Sequence, residues 1–271
     1  VKTHFLTENN LIIQAPPGAG KSTLLPLALL DEPWLSGKKI LMLEPRRLAT
    51  RSIAERMADM IGEKAGEKVG YRIRFESAIS KVTRLEVITE GILTRMMHSD
   101  NALEDVGLVI FDEFHERNLH AEVGLALCRE IQEVLRPDLR VLLMSATIDT
   151  EELSSLLNSK VIKSSGRQYP VEINYLNEVD SYSIGEDTAR QIIPLAKQEK
   201  GDFLVFLPGQ GEIKKAQDIL RRALPEIEVV PLYGQLSPGA QQRAILPSKI
   251  GKQKIVLSTV IAETSLTLEG I

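Results

Sequence analysis

Along the chain, short apolar runs of β-branched character alternate with longer stretches of helical period. That is the signature of parallel strands covered by helices. In the first half the runs predict strands at 11–14, 39–43, 84–88, 108–111 and 140–144, each followed by a helix. The second half predicts a helix over 185–197, a strand over 203–207, a helix over 212–223 and strands over 229–232 and 254–258. Between the halves the pattern breaks into Lys163-Ser164-Ser165-Gly166-Arg167-Gln168, followed by the extended stretch Tyr169 to Tyr175. The break predicts two α/β domains, 1–165 and 166–271. The halves share alternation but no readable repeat.

Composition narrows the class. A chain of 271 residues, 43% hydrophobic and 26% charged, has room for two ordinary globular cores. No apolar run approaches the roughly 20 residues of a bilayer span, and the first residues carry no basic-then-apolar export signal, so the cytoplasm is the expected compartment. The single cysteine, Cys128, excludes an intrachain disulfide and a cysteine zinc cluster. A net charge of −4 argues against a protein that coats itself with nucleic acid. The stretch from Pro45 to Phe75 qualifies this, with eight Arg or Lys against four acids. A basic strip on an acidic protein fits a local contact with a polyanion. Its helical part, Glu55 to Lys68, is equally explained as a solvated face of alternating charge.

The chemistry concentrates where strands end. After Leu11-Ile12-Ile13 comes Ala15-Pro16-Pro17-Gly18-Ala19-Gly20-Lys21-Ser22-Thr23, a phosphate-binding loop between strand and helix. Backbone N–H groups around Gly18, Ala19 and Gly20 would wrap phosphates, Lys21 would reach the β- and γ-phosphates, and the Ser22 hydroxyl would hold Mg²⁺. The first glycine of the usual pattern is Ala15, which bears on whether the backbone there is left-handed. After the strand ending at Phe111 comes Asp112-Glu113-Phe114-His115-Glu116-Arg117. Two adjacent carboxylates beside such a loop suit Mg²⁺-assisted phosphoryl transfer, Asp112 holding the metal and Glu113 deprotonating the attacking water. His115 and His120 lack a third ligand and are not read as a zinc pair. Two further strand ends carry Arg46 and Arg47, and Thr89, Gly91 and Arg95, with Thr89 placed to cap a helix and Gly91 to admit a ligand close to the backbone. In such sheets ligands gather outside the carboxyl ends of the strands.

Taken together, Lys21-Ser22, Pro45-Arg46-Arg47, Thr89-Glu90-Gly91, Asp112-Glu113-Phe114-His115 and Ser145-Ala146-Thr147 resemble, in order and spacing, the motifs of the DEAH-box helicases of superfamily two. The resemblance covers nearly the whole chain. It implies two RecA-like parallel-sheet domains in tandem, the second truncated, hydrolysing ATP with Mg²⁺ to step along single-stranded RNA or DNA. Within it Ser145 and Thr147 look like the pair coupling hydrolysis to movement, His115 like a link between domains, and Arg56 like the arginine that stacks on adenine. Gly209 and Gln210 fall on the fourth motif, and Thr259 and Thr264 on the fifth, where nucleic-acid contacts lie. Val260 stands where asparagine is common, and Ile245 where an aromatic residue usually covers the adenine. No upstream glutamine motif for adenine is visible, so base selectivity should be loose.

The chain ends at Ile271, directly after the fifth motif, without the sixth motif and its arginine finger. The resulting expectation is a core fragment that binds nucleotide but turns it over poorly, since such a finger is worth on the order of 10³ to 10⁵ in rate. The competing expectation is a nucleotide- and nucleic-acid-binding module, catalytically inert without a partner, such as a protein activator, or the missing C-terminal part. A transport or metabolite ATPase fits five ordered motifs poorly.

Overall fold

The computed structural model describes every residue except 17–18, 147–149, 165–169, 176–181, 249–251, 264–267 and 269. The chain divides into two compact units, Val1–Tyr169 and Pro170–Ile271.

In the first unit the elements follow as β1 (Asn10–Gln14), α1 (Leu24–Leu29), β2 (Lys39–Glu44), α2 (Arg47–Met60), β3 (Val69–Ile73), β4 (Glu76–Ala78), β5 (Leu85–Thr89), α3 (Glu90–Ser99), β6 (Val106–Phe111), α4 (Leu119–Val134), β7 (Arg140–Ser145), α5 (Thr150–Leu157) and β8 (Lys160–Lys163). They build an eight-stranded sheet of order β4-β3-β5-β2-β6-β7-β1-β8. All its pairings are parallel except β3 with β4. The central strands are continuous apolar runs because both faces are covered. Their alternate residues divide between two cores. Leu11, Ile13, Ile40, Met42, Ile110 and Met144 pack with α1 and α2 on one side. Ile12, Leu41, Leu43, Val109, Phe111 and Leu143 pack with α3, α4 and α5 on the other.

The five expected strands of this unit are present within one or two residues. Three more lie beyond the expectation. The short β8 adds an edge beside β1, and β3 and β4 form a hairpin inside the charged stretch 67–78. Gly70 makes that hairpin possible, since a Cβ there would sit 2.3 Å from the Ala78 carbonyl oxygen.

The second unit runs α6 (Ile184–Gln198), β9 (Phe203–Phe206), α7 (Gln210–Ala223), β10 (Glu228–Leu232), α8 (Pro238–Ile245) and β11 (Lys254–Ser258). Among the described residues it holds a three-stranded parallel sheet of order β10-β11-β9. Ala189 and Ile192 of α6 and Ile213, Ala216 and Leu220 of α7 cover it, with Ile255 and Leu257 beneath. The expected extension through Tyr175 forms no strand over 170–175, and the sequence did not predict α8, which Pro238 opens at its first position. Among the described residues no helix is long and apolar enough to cross a membrane.

Candidate nucleotide and strand site

The register of the first sheet sets the site. Thr89 ends β5 opposite Glu44 of β2, and Leu43 of β2 pairs with Phe111 of β6. Phe111 pairs with Leu143 of β7, whose Ser145 pairs with Gln14 of β1. Five strands therefore end along one line. In sheet order that line carries the Thr89 loop, the Arg46–Arg47 loop, the Asp112–Glu113 turn, Ser145 and the phosphate-loop candidate.

The loop after β1 begins as a continuation of the sheet. The Ala15 N–H donates to the Ser145 carbonyl at 3.0 Å, and Ala15 is buried with no positive φ. Glycine is thus not required there, which explains how Ala15 is accommodated. Gly20 does need its freedom, with φ of +77°. Its carbonyl accepts from the Leu24 and Leu25 N–H groups at the start of α1. That helix has only six residues, and Lys21, Ser22 and Thr23 lie in the turn before it. Ala19 is exposed and Ser22 and Thr23 are half-buried, while Gly18 lies outside the described residues.

The decisive geometry joins this turn to the end of β6. Lys21 Nζ donates to Glu113 Oε1 at 2.9 Å, with the two side chains 6% and 8% exposed. The Glu113 N–H donates to Asp112 Oδ1 at 2.9 Å, and His115 Nδ1 lies 3.3 Å from Glu113 Oε2. Burial, and then the neighbouring Asp112 charge, hold the Glu113 carboxyl above its ordinary pKa, against the pull of Lys21 and His115. A carboxylate so placed is a better proton acceptor near neutrality. Glu113 adopts a left-handed φ of 49°, and Arg117 one of 52°. Between them a single 3-10 turn, Phe114–Glu116, carries His115 and Glu116, anchored by Phe114 packed edge-on against Phe111.

Among the described residues, the buried Asp112 Oδ2 and Ser145 Oγ find no hydrogen-bond partner. An orphaned buried carboxylate oxygen costs on the order of 1–3 kcal/mol, so Asp112 fits a hard cation or its bound water. Among the described residues no group of three or more His, Cys, Asp or Glu could hold a metal. Mg²⁺, which keeps much of its water and takes phosphate oxygens, needs only one or two protein ligands, for which Asp112 and Ser22 are the candidates.

Among the strand candidates, Arg46 is the N-cap residue of α2 and its Nη2 lies 3.4 Å from Glu116 Oε1, while Arg47 is exposed. Thr89 occupies the N-cap position of α3 but makes no side-chain cap bond, which corrects the capping role read from sequence. Its φ and ψ of −76° and 146° give the helix start by backbone alone. A Cβ on Gly91 would meet nothing within 4 Å, and Arg95 follows on the same helix. Arg56 is exposed on the third turn of α2.

In the second unit Gly209 is the N-cap residue of α7, and Gln210 Nε2 donates to Gln235 Oε1 at 2.7 Å. The Thr259 N–H donates to the Leu232 carbonyl at 3.2 Å. Thr147 and Thr264 lie outside the described residues.

Two carboxylates escaped the sequence reading. Glu90 is 6% exposed, and burial with the nearby Glu116 charge raises its pKa to about 7. Glu116 itself joins Arg46. Its one sequence signal is its place three residues beyond Glu113.

Residues 1–156 match the model of the DEAD/DEAH box helicase family, and residues 186–271 that of the helicase conserved C-terminal domain. The chain belongs to the DEAD/DEAH box helicases. Within that family it is 49% identical over 263 residues to the ATP-dependent RNA helicase HrpB of Escherichia coli K12, covering 96% of this chain and 32% of that protein. It is 36% identical over 269 residues to the ATP-dependent RNA helicase HrpA of Borreliella burgdorferi, covering 97% of this chain and 33% of the relative. A crystal structure of the Escherichia coli DEAH/RHA helicase HrpB matches all of the chain and 35% of its own at a TM-score of 0.90 and 47% identity. A second, of the E. coli DExH-box NTPase HrpB, matches 99% of the chain and 33% of its own at 0.79 and 47%. The chain therefore spans about a third of the length of the helicases it matches. Two tandem helicase domains on parallel sheets agree with the fold class expected from the sequence.

Proposed function

We propose that the chain is the motor core of an ATP-dependent helicase that hydrolyses ATP with Mg²⁺ and moves on single-stranded RNA. The observation that carries this reading is the buried Lys21–Glu113 pair beside Asp112. Lys21 neutralises phosphate charge once it leaves Glu113. Glu113, its carboxyl already raised, then takes the proton of the attacking water, with His115 close enough to share its charge. Asp112 and Ser22 hold Mg²⁺, which when bound neutralises charge developing on the phosphates. Gly18, Ala19, Gly20 and Thr23 complete the phosphate loop, and Arg56 packs on the base.

The strand candidates are Arg46, Arg47, Thr89, Gly91 and Arg95 in the first unit and Gly209, Gln210, Thr259 and Thr264 in the second. These groups address phosphate and sugar, so base specificity is low. Ser145 and Thr147 couple the nucleotide to the grip. RNA is chosen over DNA because both named relatives are called RNA helicases.

A second reading, a binding module that waits for a protein activator, is favoured by the pair itself, because base and phosphate ligand occupy each other. One experiment separates the two. ATP turnover and binding of a fluorescent ATP analogue are measured with and without oligouridine, for the wild type and Glu113→Gln. A motor core turns over ATP, is stimulated by the strand, and loses about 10²- to 10⁴-fold in turnover in the variant while still binding the analogue. Binding without turnover in the wild type, relieved by added cell extract, supports the module. Analogue binding indifferent to every polynucleotide overturns the strand assignment.

A further inference from the structure

The line of strand ends has a seam. On one side β5 and β2 deliver the strand candidates, and on the other β6, β7 and β1 deliver the nucleotide candidates. The 3-10 turn Phe114–Glu116 lies at that seam and is tied to both sides. At its start Glu113 holds Lys21 at 2.9 Å, and at its end Glu116 holds Arg46 at 3.4 Å. The Glu116 N–H donates to the Glu113 carbonyl at 2.9 Å, so the two carboxylates move as one piece of backbone.

We infer that Glu116 is a positioning residue that couples strand binding to the nucleotide site, by competing with a strand phosphate for Arg46. The inference rests on the proposed function and names a residue that reading did not use.

Three observations carry it. The turn is bracketed by two non-glycine residues in left-handed backbone, Glu113 at φ 49° and Arg117 at φ 52°. Such conformations cost energy and persist where surrounding contacts over-determine them. The Lys21 and Arg46 ion pairs are contacts of that kind, so loosening one changes what holds the other. Next, the Arg46 and Glu116 side chains are 23% and 21% exposed. An incoming phosphate can reach this pair and exchange one oxyanion for another, which the 6% and 8% exposure at Lys21–Glu113 does not allow without opening. Last, the Glu116 charge adds to burial in raising the pKa of Glu90, which lies between Thr89 and Gly91 of the other strand loop.

The expected sequence is physical. A phosphate draws Arg46 from Glu116, the turn loses that tie, and Glu113 releases Lys21 more readily. Strand binding then tightens nucleotide binding, and by linkage nucleotide tightens strand binding by the same factor.

The test uses the full chain, fluorescein-labelled oligouridine and a fluorescent ATP analogue, with Glu116→Gln, Arg46→Gln and the double variant. Removing the competing charge in Glu116→Gln should tighten oligouridine binding about two- to five-fold, the scale of a partly exposed ion pair. The gain should vanish in the Arg46→Gln background, which separates it from a general loss of negative charge. Saturating oligouridine should tighten analogue binding in the wild type and leave it unchanged in Glu116→Gln. A merely structural Glu116 would lower the melting temperature and leave that coupling intact. Wild-type coupling retained in full by Glu116→Gln, or an equal gain with and without Arg46, overturns the inference alone. Failure of the wild type to bind oligouridine overturns it together with the strand assignment.

Discussion

The two parallel sheets treat buried charge differently. In the first unit Lys21, Glu44, Glu90, Asp112 and Glu113 are buried and gather at the carboxyl ends of β1, β2, β5 and β6, while Glu86, buried near the amino end of β5, is paired with Lys39 and Arg72. In the second, the one buried charge among the described residues is Lys254, at the amino end of β11. Its Nζ donates to the carbonyls of Ala244, at 3.0 Å, and Leu246, which close α8. The carboxyl ends of β9 and β11 instead present Gly209, Gln210 and Thr259, half-buried and uncharged. Buried charge needs a reason, because desolvation opposes it. For the charges at the strand ends of the first unit the reason, on the proposed function, is chemistry at a ligand edge; Glu86 has two cationic partners, and Lys254 has the end of a helix. On the proposed function, the difference separates a domain that reacts from a domain that grips.

The largest effect that sharpens this contrast is at Lys21. Lys21→Met removes the cation from a buried carboxylate, a change that costs about 3–5 kcal/mol when the remaining charge cannot relax. Glu113 can relax, because its carboxyl is already held above its ordinary pKa and can take up a proton. The loss of stability is therefore expected to be larger at pH 8 than at pH 6, as read by thermal melting. Affinity for an ATP analogue should fall about 10- to 100-fold, the scale of one hydrogen bond to a charged group. A pH-independent change in melting temperature would mean that Glu113 is solvated in solution, and the contrast between the units would weaken.

Much of the first unit was legible because strands buried on both faces, such as Val106–Phe111, read as unbroken apolar runs. The candidate site residues were selected by type and order. The pairings were not, since Lys21 and Glu113 are 92 residues apart and Arg46 and Glu116 are 70 apart. The hairpin β3–β4 escaped for another reason. Val69, Tyr71 and Ile73 alternate as a strand should, but the run is short, and the partner of Arg72 on the other face, Glu86 at 2.7 Å, is 14 residues away in sequence. The edge strand β8 has half-exposed apolar residues at two positions only, too short a run to show a period. Thr89 taught a smaller lesson. Position and residue type suited a cap, yet the backbone alone turned the corner.

In the second unit the matching perturbation is Lys254→Met, which keeps the volume and removes the donor. Two carbonyls at the end of α8 lose their partner, at about 1–3 kcal/mol for buried acceptors left unmade. Burial already holds the Lys254 pKa below its ordinary value, against the charges of Asp202 and Glu228, so the lysine itself is held there at some cost. The expected loss of stability is about 2 kcal/mol. Nucleotide affinity, measured with the same analogue, should stay within about two-fold. A large drop in affinity from this change would show that the second unit contributes more than grip.

The smallest expected effect is at Glu90, where the sign of the pH dependence tests whether the charge at the strand edge is held back by burial. Its pKa is raised from 4.5 to about 7, first by burial and then by Glu116. Between those values the folded chain keeps a proton that the unfolded chain has released, so this group's contribution is fully present below about pH 4.5 and is lost as pH rises through about 7. Glu90→Gln cannot lose a proton. The difference between variant and wild-type melting temperatures should therefore grow in the variant's favour from pH 5 to pH 8, by about 1–2 kcal/mol in stability. Part of that gain should disappear when Glu116 is also changed to Gln, because the second cause of the shift is then gone. A difference curve that is flat across this range would place the Glu90 carboxylate in contact with water, and with it the loop that carries Thr89 and Gly91.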